Sequence, residues 1–319
     1  MILTFILFVL GFPALLGGAH FLVRGSGSVA LKLGMSELAV GLTVVAFGTS
    51  APELIIAVVS ALRGSVDLAV ANVVGSNTAN LLLILGIAAV IRPLAMHRTL
   101  RWREIPFVLL SVLVLSVVAN DRLLGGGASP VLSRGDGLVL LGYFAIYMYY
   151  VFSVARKKDE AVVESVETVA LPVAILMIVG GAAGLAAGGQ WIVNGARAIA
   201  RSVGMSEAMV GLTVISIGTS LPELATSAVA AKKGNTDLAV GNVVGSNVLN
   251  VLWILGLTAG ITPIDFNVML NVDIWILAGV TVIFFLFTFT GGSHKIDRLE
   301  GAALLLLYGL YLTFIVVRG

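Results

Sequence analysis

The 319-residue chain has no cysteine, which excludes structural disulfides and cysteine-ligated metal sites while leaving the redox compartment open. Charge is almost as scarce: only 11% of residues are Asp, Glu, Lys or Arg, 59% are hydrophobic, and the mean hydropathy is +1.07. Soluble domains are roughly half apolar and a quarter charged, so a water-soluble fold is excluded and the solvent is lipid. The three histidines, His20, His97 and His294, are too scattered to form a metal triad. Neither an HExxH sequence nor a Ser/His pair inside the apolar stretches is present, so enzymatic chemistry is not expected. Nothing in the sequence points to a resident cofactor, a nucleic-acid partner or an obligate protein partner.

What is present is a succession of apolar stretches separated by short charged groups. A hydrocarbon core of about 30 Å needs about 20 apolar residues per helix, and ten spans fit, at 2–23, 35–62, 67–91, 105–120, 136–155, 169–193, 205–231, 237–261, 271–290 and 299–317. Runs such as Leu81–Val90 and Val282–Phe287 are apolar on all sides, which disfavours the alternating strands of a β-barrel. The first run lacks a basic start and has its first positive charge, Arg24, behind it, so it reads as a retained span. Loops after odd-numbered spans carry thirteen Lys and Arg and the opposite loops six. The positive-inside rule then makes the first face cytoplasmic and puts both termini outside.

The chain also repeats itself at an offset of 170 residues. Fourteen of 20 positions are identical between Gly34–Glu53 and Gly204–Glu223, and 11 of 14 between Asp67–Asn80 and Asp237–Asn250. Shared apolar composition cannot keep Thr49, Ser50, Pro52, Glu53, Ser76, Asn77 and Asn80 in register with their counterparts. Five spans in each half force the second to enter the membrane in the opposite sense. The expected fold is therefore an all-α membrane protein of ten transmembrane helices, arranged as two inverted-topology five-helix repeats. Residues 1–155 form the first repeat, 156–168 a short charged cytoplasmic linker, and 169–319 the second. Two such half-units can exchange conformations and open a midplane site to alternate sides.

Glu53 and Glu223 stand out among the seventeen acidic residues, because the other fifteen fall in loops or near span ends. An ionisable group near a helix centre costs about 3 kcal/mol on insertion scales, so it faces a partner or a hydrated path, and a cation would be such a partner. Pro52 and Pro222 break the local helix and liberate backbone carbonyls, helped by Gly48 and Gly218. Thr49 and Ser50, four and three residues before Glu53, share its helical face, and Thr219, Ser220 and Glu223 repeat the pattern. Ser76 and Asn80 share a face in the next span, as do Ser246 and Asn250, with Asn77 and Asn247 displaced from it. Packing between helices explains the small polar residues but not the glutamates. Hard oxygen donors of these kinds suit Ca²⁺ and ions the size of Na⁺.

These paired motifs, GTSAPEL with GSNTAN and GTSLPEL with GSNVLN, resemble the two α-repeats of the cation/Ca²⁺ exchangers, particularly bacterial and archaeal Na⁺/Ca²⁺ exchanger homologues. By motif position the resemblance implies cation ligation by Thr49, Ser50, Glu53, Ser76, Asn80, Thr219, Ser220, Glu223, Ser246 and Asn250, with main-chain oxygens near Ala46 and Ser216, and Ca²⁺ bridged by the two glutamates. It also implies Na⁺/Ca²⁺ exchange by alternating access in the plasma (inner) membrane of a prokaryote, with membrane lipid and the transported cations as partners. Two positions depart from some prokaryotic members. Ser216 stands where they carry alanine, which leaves a carbonyl ligand intact, and Asn250 where they carry aspartate, so the fixed charge of the site is −2 and the ion stoichiometry is in question. Bound Ca²⁺ or two protons would neutralise that charge, and three Na⁺ would leave +1, so a Ca²⁺/H⁺ antiporter is the alternative and a cation channel a more distant one.

The remaining conspicuous residues receive structural readings. Tyr143, Tyr147, Tyr149, Tyr150, Trp102 and Trp191 are expected at the membrane interface or facing lipid. Asp67 and Asp237 are expected to cap the third and eighth spans, and Arg98, Arg101 and Arg103 to set orientation or touch anionic lipid.

Overall fold

The computed structural model describes residues 2–62, 67–121, 125, 130–155, 169–202, 216–290 and 294–318. Nearly all of them are helical. Helix α1 spans Ile2–Leu33. It is followed by α2 (Glu37–Thr49), α3 (Ala51–Leu62), α4 (Asp67–Ala79 continued by Asn80–Ile84 and Leu85–Ile91), α5 (Leu100–Ala119) and α6 (Arg134–Ala155). The second part contains α7 (Leu171–Ser202), α8 (Ser216–Thr219), α9 (Leu221–Lys233), α10 (Thr236–Ile261), α11 (Leu270–Thr290) and α12 (Arg298–Arg318). Among the described residues eight helices are long and apolar enough to cross a membrane, or nine if the bent pair α2–α3 is one span. The seventh expected span, 205–231, lies partly outside the described residues, as does the whole 156–168 linker.

Helix ends differ from the expected span ends where the bilayer, rather than the helix, sets the limit. Helices α1 and α7 are each 32 residues, about 48 Å at 1.5 Å per residue, and extend some ten residues beyond the apolar runs at 2–23 and 169–193. A helix of that length projects past the hydrocarbon or tilts within it. The fourth span, expected at 105–120, starts earlier because a π-helical turn at Leu100–Glu104 precedes Ile105–Ala119.

Among the described residues four two-residue strands pair the loops. β1 (Leu94–Ala95) pairs antiparallel with β4 (Lys295–Ile296), and β2 (Val131–Leu132) with β3 (Ile264–Asp265). β1 and β3 stand 170 residues apart, so these are equivalent clasps, each joining a loop of one repeat to a loop of the other. The first clasp, with the His97–Asp237 contact at 3.2 Å, gathers loops on the face expected to be cytoplasmic. Asp237 lies in the first turn of α10, where Asn235 is the N-cap, so it complements the helix dipole and pairs with His97 instead of capping. The side chain of Asp67 lies outside the described residues.

Helices α1 and α7 run antiparallel and touch along a stripe of glycines. Gly11, Gly18 and Gly25 recur every seven residues, as do Gly181, Gly188 and Gly195, and each set lies 170 residues from the other. A Cβ on Gly18 would stand 2.7 Å from the Gly181 carbonyl oxygen, one on Gly181 would stand 2.7 Å from that of Gly18, and Gly11 and Gly188 form an equivalent contact. Seven residues are close to two helical turns, so the three glycines of each helix lie on one face; Gly11, Gly18, Gly25, Gly181 and Gly188 let the backbones meet, and Gly195 makes room for the Phe8 side chain.

Candidate functional site

The centre of the molecule is built by α2–α3 and α4 from one repeat and α8–α9 and α10 from the other. Helices α2 and α3 meet at a 47° bend. At the break Ser50 has φ −83°, ψ 6°, and Ser220, between α8 and α9, has φ −86°, ψ 3°. The same local conformation recurs because the same sequence recurs: Pro52 and Pro222 have no N–H to donate to the carbonyls of Gly48 and Gly218, so the helical ladder is interrupted twice in the same way. The Ala46 carbonyl accepts hydrogen bonds from the Ser50 N–H (3.0 Å) and the Thr49 hydroxyl (3.3 Å). Ser216 begins α8, and its side chain lies outside the described residues.

Glu53 and Glu223 each stand in the first turn of the helix after the break and are each 1% exposed. Their charges act on one another, and neither forms a salt bridge with a described residue. The two repeats interlock here. Ser50 Oγ of the first donates to Glu223 Oε1 of the second at 2.8 Å and lies 3.0 Å from Ser246 Oγ, itself 3.4 Å from the same carboxylate oxygen. Thr49 donates across the repeats to Asn242 Oδ1 at 3.0 Å, and its equivalent Thr219 donates to Asn72 Oδ1 at 3.4 Å, with Ser76 Oγ also 3.4 Å from Thr219. All ten side chains expected to ligate a cation are buried in this one region, and the structure brings them together.

The buried atoms left without a hydrogen-bond partner here include both oxygens of Glu53, Glu223 Oε2, Asn80 Oδ1, Asn250 Oδ1 and the Ser220 hydroxyl. Buried polar groups are normally satisfied, so several acceptors left over at one place, with no basic side chain among them, are a departure that a hard cation would satisfy. The helix geometry favours the same spot. A π-helical segment starts at Asn80 and another covers Leu249–Leu255, and such turns widen a helix where a side chain has work to do. Among the described residues no three His, Cys, Asp or Glu cluster as for a tightly held metal. Two carboxylates surrounded by neutral oxygens suit a hard cation that must also leave.

Asn72 and Asn242 belong to this network and escape the sequence reading. Their signal was in the repeat: each lies four residues before Ser76 or Ser246 and so extends the same helical face. They are not equivalent in detail. Asn242 Nδ2 donates to Ser227 Oγ at 3.0 Å, whereas Asn72 Nδ2 is buried without a partner, because Ala57 occupies the position that corresponds to Ser227.

Away from the centre, one aromatic residue expected to face lipid or the interface does not. Tyr147 is fully buried, and Tyr150 donates to Glu104 Oε1 at 2.6 Å. Glu104, expected in a loop or near a span end, is itself buried in the π turn that starts α5. Asp273, near the start of α11, is buried and accepts from Arg318 at 2.8 Å. Trp102 and Tyr149 are exposed.

Long apolar helices, a helix bent at Ser50, the same backbone conformation at Ser220, and a buried cluster of oxygens that includes two carboxylates define a polytopic membrane protein. The family described as sodium/calcium exchanger protein matches residues 3–153 and 173–317. Over 318 residues the chain is 35% identical to CaxA of Alkalimonas amylolytica, covering 97% of each, and over 292 residues it is 37% identical to the inner membrane protein YrbG of Escherichia coli K12, covering 86% of this chain and 87% of the other. The sodium/calcium exchanger MaX1 of Methanosarcina acetivorans is 28% identical over 351 residues, covering 97% of each. A solved structure of the sodium-calcium exchanger NCX_Mj, soaked with Na⁺ and Sr²⁺, superposes with a TM-score of 0.84 at 28% identity over 98% of both chains. The chain belongs to the sodium/calcium exchanger protein family.

Proposed function

We propose that the protein is a secondary-active antiporter that exchanges Na⁺ for Ca²⁺ at one central site, with Glu53 and Glu223 bridging Ca²⁺. The observation that carries this reading is the set of partnerless acceptor oxygens on Glu53, Glu223, Asn80 and Asn250, buried together and drawn from both repeats. MaX1 and NCX_Mj, to which the chain is similar along nearly its whole length, are named sodium/calcium exchangers, and this supports the same ion pair. Thr49, Ser50, Ser76, Thr219, Ser220 and Ser246 supply hydroxyl oxygens, and the main chain near Ala46 and Ser216 supplies carbonyls. One Ca²⁺ matches the −2 charge of the ionised pair. Na⁺ ions compete for the same oxygens, so either cargo excludes the other.

In this reading the chain forms ten transmembrane helices in two inverted five-helix repeats, 1–155 and 169–319, with α8 and α9 in the seventh span. The pairing of equivalent strands across the repeats and the reciprocal Thr–Asn contacts support a two-fold axis in the membrane plane. The excess of basic residues in loops after odd-numbered spans supports a cytoplasmic linker and external termini, in the inner membrane of a prokaryote.

The coupling ion is tested in proteoliposomes. An outward Na⁺ gradient is expected to drive Ca²⁺ uptake well above empty vesicles, and a pH gradient alone is expected to drive none. Uptake with the pH gradient and none with Na⁺ would replace Na⁺/Ca²⁺ exchange by Ca²⁺/H⁺ antiport.

A further inference from the structure

Four asparagines, Asn77, Asn80, Asn247 and Asn250, lie at the contact between α4 and α10, all buried. Asn77 Nδ2 donates to the backbone carbonyl of Asn247 at 2.9 Å, and Asn247 Nδ2 donates to the backbone carbonyl of Asn77 at 3.3 Å. These positions are 170 residues apart, so the pair is reciprocal about the same axis that relates the repeats. A backbone carbonyl can only accept, so it dictates which end of each amide faces it. The Oδ1 of Asn77 must then point the other way, where it accepts from Asn250 Nδ2 at 3.0 Å, and Asn247 Oδ1 accepts from Asn80 Nδ2 at 2.8 Å. With Nδ2 of Asn80 and of Asn250 held against these acceptors, each amide has one orientation left, and in it each Oδ1 is buried without a partner.

We propose that Asn77 and Asn247 are positioning residues which, without touching the cation, fix the amides of Asn80 and Asn250 so that each presents oxygen to it. The inference rests on the central site proposed above. The control is crossed: Asn247 of the second repeat orients Asn80 of the first, and Asn77 orients Asn250. Each repeat thereby sets a ligand in the other, and the site is complete only while α4 and α10 stay in register. A buried carboxamide that is free to turn would offer N–H to the ion as readily as C=O, which repels a cation. The bracket also discriminates against an ionised aspartate at position 250, whose oxygen would face Asn77 Oδ1 where a donor now stands.

A double-mutant cycle on the apparent KM for Ca²⁺ in proteoliposomes tests this. Asn247→Leu, close in size and without hydrogen-bonding groups, is expected to raise KM about tenfold or more, the scale of one lost ligand interaction. Asn80→Ala should do the same, and the double variant should be little worse than either single one. Asn247→Leu combined with Asn250→Ala should instead be close to multiplicative. The mirror variant Asn77→Leu is expected to couple to Asn250→Ala and to combine nearly multiplicatively with Asn80→Ala, and it carries the test if Asn247→Leu does not fold. Equal coupling of Asn247 to Asn80 and Asn250, or of Asn77 to both, would overturn the proposal. Exchange that survives in Glu53→Gln would overturn the central site itself, a result distinguishable from either of these.

Discussion

Glu53→Gln is expected to reduce Na⁺-driven Ca²⁺ uptake by more than about 100-fold, equivalent to about 2.7 kcal/mol or more, while the protein still folds and inserts. The substitution keeps the shape of the side chain and removes one of the two charges that balance Ca²⁺. Both oxygens of Glu53 are buried without a hydrogen-bond partner, so in the absence of ion the carboxylate is a burden on the fold. A neutral amide relieves it, and Glu53→Gln is expected to melt at or above the wild-type temperature when both are measured without Ca²⁺. Added Ca²⁺ should stabilise the wild type and leave the variant unmoved. Glu223→Gln should also abolish flux, with a smaller gain in ion-free stability, because Glu223 Oε1 already accepts from Ser50. Flux above about a tenth of wild type in both variants, a loss under about 1.4 kcal/mol, would remove the glutamates from the site.

The second large effect is expected far from any ligand. Gly18→Leu should cut exchange at least about tenfold and lower the melting temperature, because the first side-chain carbon alone would stand 2.7 Å from both the Gly181 carbonyl oxygen and the Leu185 nitrogen. Neither is the end of a flexible side chain, so α1 and α7 must separate. Overpacking of a well-fitted contact costs about 1–3 kcal/mol or more, and here the obstruction is backbone. Gly17→Leu is the internal control, since a Cβ there meets nothing within 4 Å. It should retain wild-type flux and stability. If the two variants behave alike, the glycine stripe does not hold these helices together. Stability is read by heating detergent-solubilised protein and following the monodisperse fraction, flux by Ca²⁺ uptake.

Much of this architecture is legible in the sequence because the duplication writes each feature twice. The breaks at Pro52 and Pro222, the glutamates that follow them and the hydroxyls that precede them occur at matching positions, and the structure brings both sets to one buried centre. The ends of α1 and α7 were not legible, since hydropathy reports where lipid ends and not where a helix does. The glycine stripe was written in the chain at seven-residue spacing, but glycine spacing on one helix does not name the partner helix. Burial of Glu104 and Asp273 depends on Tyr150 and Arg318, which come from other helices, so neither the carboxylates nor their neighbours in sequence reveal it.

Asn77 and Asn247 teach a different lesson. Helical periodicity sets them off the face shared by Ser76 with Asn80 and by Ser246 with Asn250, and on that ground they look peripheral to the site. The structure shows why a displaced position matters: these residues face each other across the repeats, and their amides settle the orientation of the asparagines that do face the centre. Asn72 and Asn242 were closer to hand, one turn before the serines on the same face. Periodicity therefore identifies candidate ligands, whereas the groups that orient them are visible only once the two repeats are packed together.

The central claim, one site shared by Ca²⁺ and Na⁺ between Glu53 and Glu223, is tested most directly by equilibrium binding of radioactive Ca²⁺ to the purified protein over a series of Na⁺ concentrations. The account predicts one Ca²⁺ bound per chain, an apparent affinity that weakens progressively with Na⁺ while capacity is unchanged, and no binding in Glu53→Gln. Ca²⁺ binding that ignores Na⁺, or that persists in Glu53→Gln, would contradict it.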